Sequence, residues 1–365
     1  ELANKIDNYL IRWRFQRNSE HKDTLAFAGY EKSTYLINMD FPRFGTGEGK
    51  AALNQTVRGY DIYILCDVFN YGVTYKMYGM TVPMSPDEHF ANLKRAISAI
   101  EGKAKRVSVI MPMLYEGRQH KRSSRESLDC AMMLQELHNM GVENFITFDA
   151  HDPRVMNAIP LCGFESISPA YQMIKAAVNN VDNLKINKDN IMIISPDEGG
   201  MSRCIYYSTV LGVELGMFYK RRDFSRIVDG RNPIIAHEFL GDNVEGKDVI
   251  IVDDMISSGE SMIEVATKLK ELKAARIYIF SAFGLFCNGF DAFDKAFQEG
   301  IIDRVFTTNL IYGTPELLSK DWYIRVDMSK YLSYIIDTLN HDTSISDLLD
   351  PAEKINTLLD KKGLK

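Results

Sequence analysis

The chain alternates short apolar runs with amphipathic stretches over most of its length. The apolar runs are rich in Val, Ile and Phe, and each is about as long as a strand. They lie at residues 60–68, 106–114, 144–152, 190–200, 213–222, 248–255 and 276–284. Stretches between them repeat their apolar residues at helical spacing, most clearly at residues 89–102, 127–141 and 261–274. This alternation predicts an α/β fold built from mainly parallel sheets flanked by helices.

The length of the chain predicts two domains, because 365 residues exceed what most single cores contain. A polar, Asn-rich stretch at residues 179–190 has the character of a surface loop near a boundary. We therefore predict a first domain at residues 1–165, a second at 166–335 and a C-terminal segment at 336–365. The chain also holds two segments that look like long loops, which in α/β domains are often lids or insertions. They are residues 69–88 and 223–248.

Composition and charge exclude several classes of protein. The formal net charge of −6 provides no basic field, so we expect no nucleic-acid partner and predict that any anion site is built locally. No apolar run approaches the roughly 18 residues that span a bilayer, and the first residues show no apolar signal segment, so we expect no membrane association. The five cysteines are scattered without close pairs, which favours a reducing cytoplasm over a disulfide framework or a zinc cluster.

The most informative pattern is VIIVDDMISSGESM at residues 249–262. An apolar strand delivers Asp253 and Asp254 to its C-terminal end, and a Ser- and Gly-rich turn then opens onto a helix. Backbone N–H groups and hydroxyls at a helix start bind anions, and neighbouring carboxylates suit ribose hydroxyls or bound magnesium. The pattern predicts a site for a phosphorylated sugar. The alternative is an ordinary strand, turn and helix with incidental acids.

Two more polar clusters follow strands in the second half of the chain, where ligands of parallel sheets collect. In SPDEGG, residues 195–200, Asp197 precedes two glycines that allow close backbone approach to a ligand, although an ordinary turn has the same composition. In YKRRD, residues 219–223, Lys220 is a point charge, and Arg221 and Arg222 offer planar forks for phosphate. A solvated charge run is the alternative there, but the long segment that follows favours a catalytic arm.

The first half contains two comparable clusters. FDAHD, residues 148–152, groups Asp149, His151 and Asp152, which can hold a divalent ion or contact its phosphates. A purely structural histidine is the alternative. EGRQHKRSSRE, residues 116–126, is a basic loop that suits either a nucleotide triphosphate or plain solvent. Its basic side chains are Arg118, His120, Lys121, Arg122 and Arg125.

Taken in order, these clusters resemble the ribose-phosphate diphosphokinase family. Members carry RFSDGE, a PYxxYARQDRK-like loop, DLHA, SPDxGG, DKRR and VDDMxDTxGT, and this chain has RFGTGE, MPMLYEGRQHKR, FDAHD, SPDEGG, YKRRD and VDDMISSGES. The VRGYDIYIL and HDTSISDLL runs are also similar, so the resemblance spans about residues 25–349. It implies two phosphoribosyltransferase-like domains in tandem, with the sugar-phosphate loop only in the second. It also implies that the C-terminal segment packs on the first domain and that the chain forms homo-oligomers, dimers or hexamers.

The resemblance implies transfer of the β,γ-diphosphoryl group of MgATP to the C1 hydroxyl of ribose 5-phosphate, with Mg²⁺ as cofactor and AMP as a product. Lys220 and Arg222 match the catalytic pair of the family. The residues similar to its ATP contacts, some of which come from a neighbouring subunit, are Phe44, Glu48, Arg118 and Gln119. His151 and Asp197 are expected at the metal. The ribose-5-phosphate contacts implied are Asp197, Asp253, Asp254, Ser257, Ser258, Gly259 and Ser261.

Several positions depart from the family pattern. Thr46 replaces an Asp in the adenine-recognising loop, which leaves the nucleotide preference open, and His120 replaces an Asp of the basic loop. Ser257 stands at an Asp position and Glu260 at a Gly position inside the phosphate loop. A carboxylate that pointed into this loop would repel phosphate, so we expect Glu260 to face outward.

Two other functions remain compatible with the same motifs. One is a catalytically weak, regulatory homologue that binds active subunits, although the retained Lys220, Arg222, His151 and Asp197 argue against it. The other is a salvage phosphoribosyltransferase that uses the loop to bind phosphoribosyl diphosphate. That function leaves the motifs of the first domain unexplained, since a transferase needs only one such domain.

Overall fold

The computed structural model describes residues 1–20, 32–222 and 234–364; the side chains of residues 220–222 and 234–237 are outside this description. Its helices are α1 Leu2–Ser19, α2 Pro86–Ile100, α3 Asp129–Asn139, α4 Ala170–Asn180, α5 Met201–Leu211, α6 Glu260–Glu271, α7 Asp291–Gln298, α8 Pro315–Leu318, α9 Ser329–Asn340, α10 Ser346–Leu349 and α11 Ala352–Lys362. Its strands are β1 Met39–Asp40, β2 Ala52–Leu53, β3 Asp61–Leu65, β4 Thr74–Met77, β5 Met80–Pro83, β6 Arg106–Ile110, β7 Asn144–Phe148, β8 Gly163–Ile167, β9 Ile191–Ser195, β10 Glu214–Arg222, β11 Ile234–Leu240, β12 Asp248–Ile256, β13 Ile277–Gly284, β14 Arg304–Thr308 and β15 Tyr323–Val326.

The described chain divides into two compact units. Unit 1 comprises residues 1–168, 309–312 and 327–349, and unit 2 comprises residues 169–308, 313–326 and 350–365, in both cases apart from the undescribed ranges. Each unit therefore collects segments that are distant in the sequence.

Unit 1 is built on a parallel sheet of four strands in the order β3-β6-β7-β8. Apolar residues of α2 and α3, among them Leu93 and Leu134, are buried with the inner residues of these strands. Helix α2 starts in a capping box: the Ser85 hydroxyl accepts from the Glu88 amide while Glu88 accepts from the Ser85 amide. Pro86 occupies the first helical position, where the φ angle imposed by its ring suits a helix. The sequence therefore fixes where this helix begins.

Unit 2 is built on a sheet of seven strands in the order β11-β10-β9-β12-β13-β14-β15. All neighbours pair in parallel except β11, which is antiparallel to β10. Every residue of β9 and of β13 is buried, so both faces of the sheet centre are covered, as in parallel sheets with helices on each side. The prediction of an α/β fold with mainly parallel sheets is confirmed.

The two segments predicted as long loops contain regular structure. Within residues 69–88, β4 and β5 form an antiparallel hairpin, and α2 begins at Pro86. Within residues 223–248, strand β11 pairs with β10, while residues 223–233 lie outside the described chain. Both loop predictions were wrong in these parts because interspersed Gly, Pro and charged residues obscured strands that pair only with a close neighbour in the sequence.

The end of the chain is helical. Helix α11 packs against α4 and α5 within unit 2, and it buries Ile355 and Leu359. Across the described ranges, no helix combines the length and the apolar character needed to cross a membrane.

Candidate active site

The C-terminal ends of β9 and β12 bring two of the predicted clusters together in unit 2. The strands are parallel neighbours, with Ile194 aligned to Ile251, so Asp197 just past β9 and Asp253 near the end of β12 share one sheet edge. Two contacts from α5 tie this edge together: Arg203 lies 3.7 Å from the Asp253 carboxylate, and the Cys204 thiol donates to the Val252 carbonyl at 3.4 Å. The predicted sugar-phosphate residues thus form one local group.

The turn between β12 and α6 requires a glycine at position 259. Gly259 has a φ of +87°, in the left-handed region, and a Cβ built there would lie 2.2 Å and 2.6 Å from ring carbons of Phe293. The backbone therefore packs directly on that ring. Because Gly259 is also the residue that caps α6, this packing fixes where the first amides of the helix lie. Ser257 and Ser258 of this turn are half-buried, and Ser261 is exposed.

The Glu260 side chain is exposed at the first position of α6 and accepts a hydrogen bond from the Asn288 amide at 3.3 Å. This arrangement agrees with the expectation that it faces outward. A second contact from the β13–α7 connection supports the turn, since the Cys287 amide donates to the Ser257 carbonyl at 2.8 Å. The contacts of Asn288 and Cys287 were not predictable from the sequence, because no local pattern indicates a contact between two loops.

Asp253 and Asp254 are adjacent carboxylates in a buried setting. Burial, together with the charge of Asp254, raises the pKa of Asp253 to about 8, although Arg203 acts in the opposite direction. Backbone amides stabilise the pair, because the Asp254 amide donates to Asp253 at 2.9 Å and the Met255 amide donates to Asp254 at 2.8 Å. A raised pKa at a buried acid pair in a strand-end site is typical of a functional position. Arg203 is the residue here that sequence reasoning missed.

Asp197 folds back on its own loop. Its carboxylate accepts from the Gly199 amide at 2.9 Å and from the Gly200 amide at 3.3 Å, and its carbonyl accepts from the Ser195 hydroxyl at 2.6 Å. A Cβ at residue 200 would lie 2.8 Å from that hydroxyl oxygen, so the second glycine is needed for this close approach. The half-buried carboxylate therefore has a fixed orientation at the start of α5.

The predicted catalytic pair lies on β10, the neighbour of β9 on its other side. The two strands are in register up to Met217 opposite Ser195, so the backbone at Lys220 and Arg222 continues beyond the end of β9. There it pairs with β11, Lys220 opposite His237 and Arg222 opposite Ile234. The predicted arm that follows Arg222 lies outside the described residues.

In unit 1 the basic loop and the FDAHD cluster meet, because they follow the parallel neighbours β6 and β7. The His120 and His151 rings are 5.2 Å apart, and His120 Nε2 lies 3.5 Å from the Asp152 carboxylate. The Arg154 side chain also donates to Asp152, and its charge-assisted hydrogen bonds lower the pKa of this acid to about 2 despite burial. Asp149 has a φ of +41°, so the turn after β7 starts in a conformation that non-glycine residues seldom adopt.

The first turn of α2 connects the basic loop to the turn that contains Phe44 and Glu48, which we call the 44–48 turn. On one side, the Tyr115 hydroxyl donates to Asp87 at 2.7 Å and its ring stacks on Phe90 at 4.7 Å. On the other side, Glu88 accepts a hydrogen bond from Tyr75 and lies 3.9 Å from Arg43, which in turn donates to the Gly47 carbonyl of the 44–48 turn. Sequence reasoning identified both segments but not the helix start that joins them.

The side chains predicted to contact ATP differ in exposure. Phe44 is 57% exposed, and Glu48 and Arg118 are also exposed. Gln119 is half-buried because its amide donates to the Ser127 carbonyl at 3.1 Å. The Thr46 hydroxyl, at the position where the family pattern has an Asp, donates to Glu48 at 2.8 Å. The turn thus presents an aromatic ring and a carboxylate to solvent.

No group of three or more His, Cys, Asp or Glu side chains that could hold a metal ion by itself occurs in the described ranges. His151 is exposed beside His120 and Asp152, and Asp197 presents a single fixed carboxylate. Mg²⁺ commonly takes one or two protein carboxylates and completes its shell with substrate phosphates and water. Isolated donors of this kind fit a metal that arrives with a nucleotide.

Comparisons with known proteins cover both units. Residues 1–141 match the model described as the N-terminal domain of ribose phosphate pyrophosphokinase, residues 164–284 match the phosphoribosyl transferase domain, and residues 226–350 match the phosphoribosyl synthetase-associated domain. A ribose-phosphate pyrophosphokinase of Vibrio parahaemolyticus is 26% identical over 308 residues, which are 83% of this chain and 88% of that protein. One from Shewanella oneidensis is 27% identical with the same coverage.

A solved structure shares the fold. The phosphoribosylpyrophosphate synthetase of Mycobacterium smegmatis matches with a TM-score of 0.70 at 19% identity, covering 84% of this chain and 91% of that one. The parallel sheets and the strand-end loop of unit 2 define an α/β protein of the phosphoribosyltransferase type. More specifically, the chain belongs to the ribose-phosphate pyrophosphokinase family, a family of enzymes, and the prediction of this family from its motifs is confirmed.

Proposed function

We propose that this enzyme transfers the β,γ-diphosphoryl group of MgATP to the C1 hydroxyl of ribose 5-phosphate, giving phosphoribosyl diphosphate and AMP. The observation that supports this most directly is the single edge of unit 2 at which Asp197, the Asp253–Asp254 pair and the Gly259 turn come together. This edge combines an anion-binding helix start with carboxylates suited to sugar hydroxyls.

The ribose 5-phosphate would bind in two parts. Its phosphate accepts hydrogen bonds from the backbone amides at the start of α6 and from Ser257, Ser258 and Ser261. The ribose 2- and 3-hydroxyls donate to Asp253 and Asp254, and Asp197 orients the ring. Because burial disfavours the charged form of Asp253, hydrogen bonds from ribose hydroxyls would offset part of the desolvation of this acid pair.

In the transfer step, the C1 oxygen of the ribose forms a bond to the β-phosphorus of ATP. The bond between that phosphorus and the oxygen bridging to the α-phosphorus breaks, and the bridging oxygen leaves with AMP. The proton of the C1 hydroxyl is released to water. Charge accumulates on the migrating diphosphoryl group, so we assign its neutralisation to Lys220 and Arg222. Such contacts form mainly in the transition state and therefore act on turnover more than on affinity.

Phe44, Glu48, Arg118 and Gln119 would contact ATP, with Phe44 offering an exposed ring for the base and Arg118 a cation for the phosphates. His151 and Asp197 would hold Mg²⁺ together with phosphate oxygens. When bound, the metal supplies positive charge that polarises the phosphates. We further propose a homo-oligomer, a dimer or a hexamer, in which some ATP contacts come from a neighbouring subunit.

The test is incubation of the protein with ATP, Mg²⁺ and ribose 5-phosphate, followed by chromatography of the nucleotides. We expect AMP to form only when ribose 5-phosphate is present. Formation of ADP would contradict the proposal, since it would indicate transfer of one phosphoryl group. Absence of any nucleotide product would also contradict it. Consumption of added phosphoribosyl diphosphate with a purine or pyrimidine base would indicate a salvage transferase instead.

A further inference from the structure

The β4–β5 hairpin lies directly against the 44–48 turn. At its tip, Tyr78 and Gly79 both have positive φ values, +47° and +81°, which is the geometry of a tight two-residue hairpin turn. The Tyr78 amide donates to the Gly45 carbonyl at 2.8 Å, so the hairpin tip is hydrogen-bonded to the turn. Because the bond joins two backbones, it fixes the position of the 44–48 turn and not only that of a side chain.

Side chains of β4 continue this contact. Gly47 has a φ of +95°, and a Cβ there would lie 2.9 Å from the sulfur of Met77 and 3.6 Å from the ring of Tyr75. The strand alternates, with Tyr75 and Met77 partly buried on this face and Thr74 and Lys76 exposed on the other. The hairpin thus uses one face to support the turn.

Tyr75 is the centre of this contact. The Arg43 guanidinium lies over the Tyr75 ring, 4.7 Å from its centroid, and the Tyr75 hydroxyl donates to Glu88. Arg43, whose side chain is only 9% exposed, also donates to the Gly47 carbonyl at 3.0 Å and lies 3.9 Å from Glu88. The Tyr75 side chain therefore contacts both Arg43, which binds the 44–48 turn, and Glu88, which belongs to the capping box of α2.

Glu88 fixes this arrangement to the core of unit 1. One carboxylate oxygen faces Tyr75 and Arg43, and the other accepts from the Ser85 amide at 3.0 Å in the capping box of α2. The preceding helix residue, Asp87, accepts a hydrogen bond from the hydroxyl of Tyr115, which lies just before the basic loop. Through α2, the hairpin is therefore connected to both segments that we assign to ATP.

We propose that the β4–β5 hairpin is the element that positions the nucleotide side of the site, with Tyr75 as its positioning residue. This inference rests on the proposed function, in which the 44–48 turn contacts ATP. Loss of the Tyr75 side chain removes the ring contact with Arg43 and the hydrogen bond to Glu88, and it thereby loosens the turn. Affinity for ATP then falls while affinity for ribose 5-phosphate, whose proposed contacts are in unit 2, stays the same.

The experiment compares Tyr75→Ala and Tyr75→Phe with Lys76→Ala, a matched control on the exposed face of the same strand. We expect Tyr75→Ala to raise KM for ATP about tenfold, because it loses both the ring that contacts Arg43 and the hydrogen bond to the charged Glu88. KM for ribose 5-phosphate stays at the wild-type value. Tyr75→Phe keeps the ring over Arg43 and recovers part of the loss, to about threefold, and Lys76→Ala behaves as wild type.

Hydrogen–deuterium exchange of the 44–48 peptide provides a readout that does not depend on activity. We expect faster exchange of this peptide in Tyr75→Ala and no change in the peptide that contains Gly259. An unchanged KM for ATP, an equal rise in both KM values, or unchanged exchange would each overturn the inference. A wild-type protein that forms no AMP would contradict the proposed reaction instead, and the exchange result alone would then decide whether the hairpin holds the turn.

Discussion

The two regions assigned to substrates are built in different ways. The ribose-5-phosphate region is mainly one continuous segment, residues 253–261, joined by Asp197 from the end of the neighbouring strand, and it lies at the covered centre of the sheet. The ATP region combines the 44–48 turn and the basic loop, which are far apart in the sequence and are connected through the β4–β5 hairpin and the first turn of α2. The first region depends on the sheet for its geometry, whereas the second depends on contacts between a turn, a hairpin and a helix start.

This difference predicts where each region is vulnerable. A strand-end loop tolerates few changes because its backbone packs directly on the core, as Gly259 does on Phe293. An assembled surface region distributes its support over Arg43, Tyr75 and Glu88, so single changes have graded effects.

Lys220→Ala tests whether the transfer chemistry belongs to the unit that binds the sugar. We expect kcat to fall about 1,000-fold with little change in either KM, because a charge that acts in the transition state contributes to turnover. Steady-state kinetics with both substrates varied measure this, and Lys295→Ala, an exposed lysine side chain on α7, is the control. A large rise in KM with an unchanged kcat would contradict the assigned role.

Gly259→Ala tests the rigidity of the sugar-phosphate turn. The added methyl group would collide with the Phe293 ring, so we expect kcat/KM for ribose 5-phosphate to fall at least about 100-fold. The matched control is Gly246→Ala, at a φ of +77° with no atom within 4 Å of the added Cβ. Gly246→Ala places a Cβ at a similarly positive φ but brings it into contact with no other atom, so its kinetics should match those of the wild type. Equal losses in both variants would mean that strain alone is responsible.

Asp253→Asn tests the acid pair through stability. The pKa of Asp253 is raised from 3.8 to about 8 in the folded protein, so the folded state retains a proton that the unfolded state releases. The stability from this group is complete below about pH 4 and is lost as the pH rises to about 8. We expect Asp253→Asn to abolish this dependence and to be more stable than wild type at pH 8 but not at pH 4, measured by urea unfolding at both pH values.

At the other end of β12, Asp248→Asn should lower the stability of the protein, whereas Asp253→Asn should raise it at pH 8. Asp248 is buried and accepts two hydrogen bonds from Arg276, at 2.6 Å and 3.0 Å. Asp248→Asn removes the charge that Arg276 pairs with, and we expect a loss of about 2 kcal/mol. If both Asn variants lost stability at pH 8, Asp253 would be an ordinary structural acid.

Thr46→Ala has the smallest expected effect. It removes an exposed hydrogen bond to Glu48, a contact that contributes little in water, so we expect a rise in KM for ATP of about twofold. Kinetics with ATP and GTP measure whether this position also influences the choice of base. A change of more than about tenfold would mean that the ATP region depends on single residues as strongly as the sugar region does.

The same contrast explains what the sequence predicted. The strands around the sugar-phosphate site have long apolar runs, and their polar ends carry the motifs, so both the strands and the cluster at their edge were predictable. Arg203 was not, because its partner Asp253 is reached only through the packing of α5 on the sheet. The β4–β5 hairpin was not predictable because Gly72, Gly79 and Pro83 give this part of the chain the composition of a loop, and the role of Tyr75 depends on contacts far along the chain.

The most direct test of the proposed reaction follows the fate of the individual phosphates of ATP. ATP labelled with ³²P at the γ position and, in a parallel reaction, at the α position is incubated with Mg²⁺, ribose 5-phosphate and the protein. We predict that the γ label moves to phosphoribosyl diphosphate while the α label remains in AMP, in equal molar amounts. Recovery of the γ label in a ribose bisphosphate or in free phosphate, with the α label in ADP, would contradict the account.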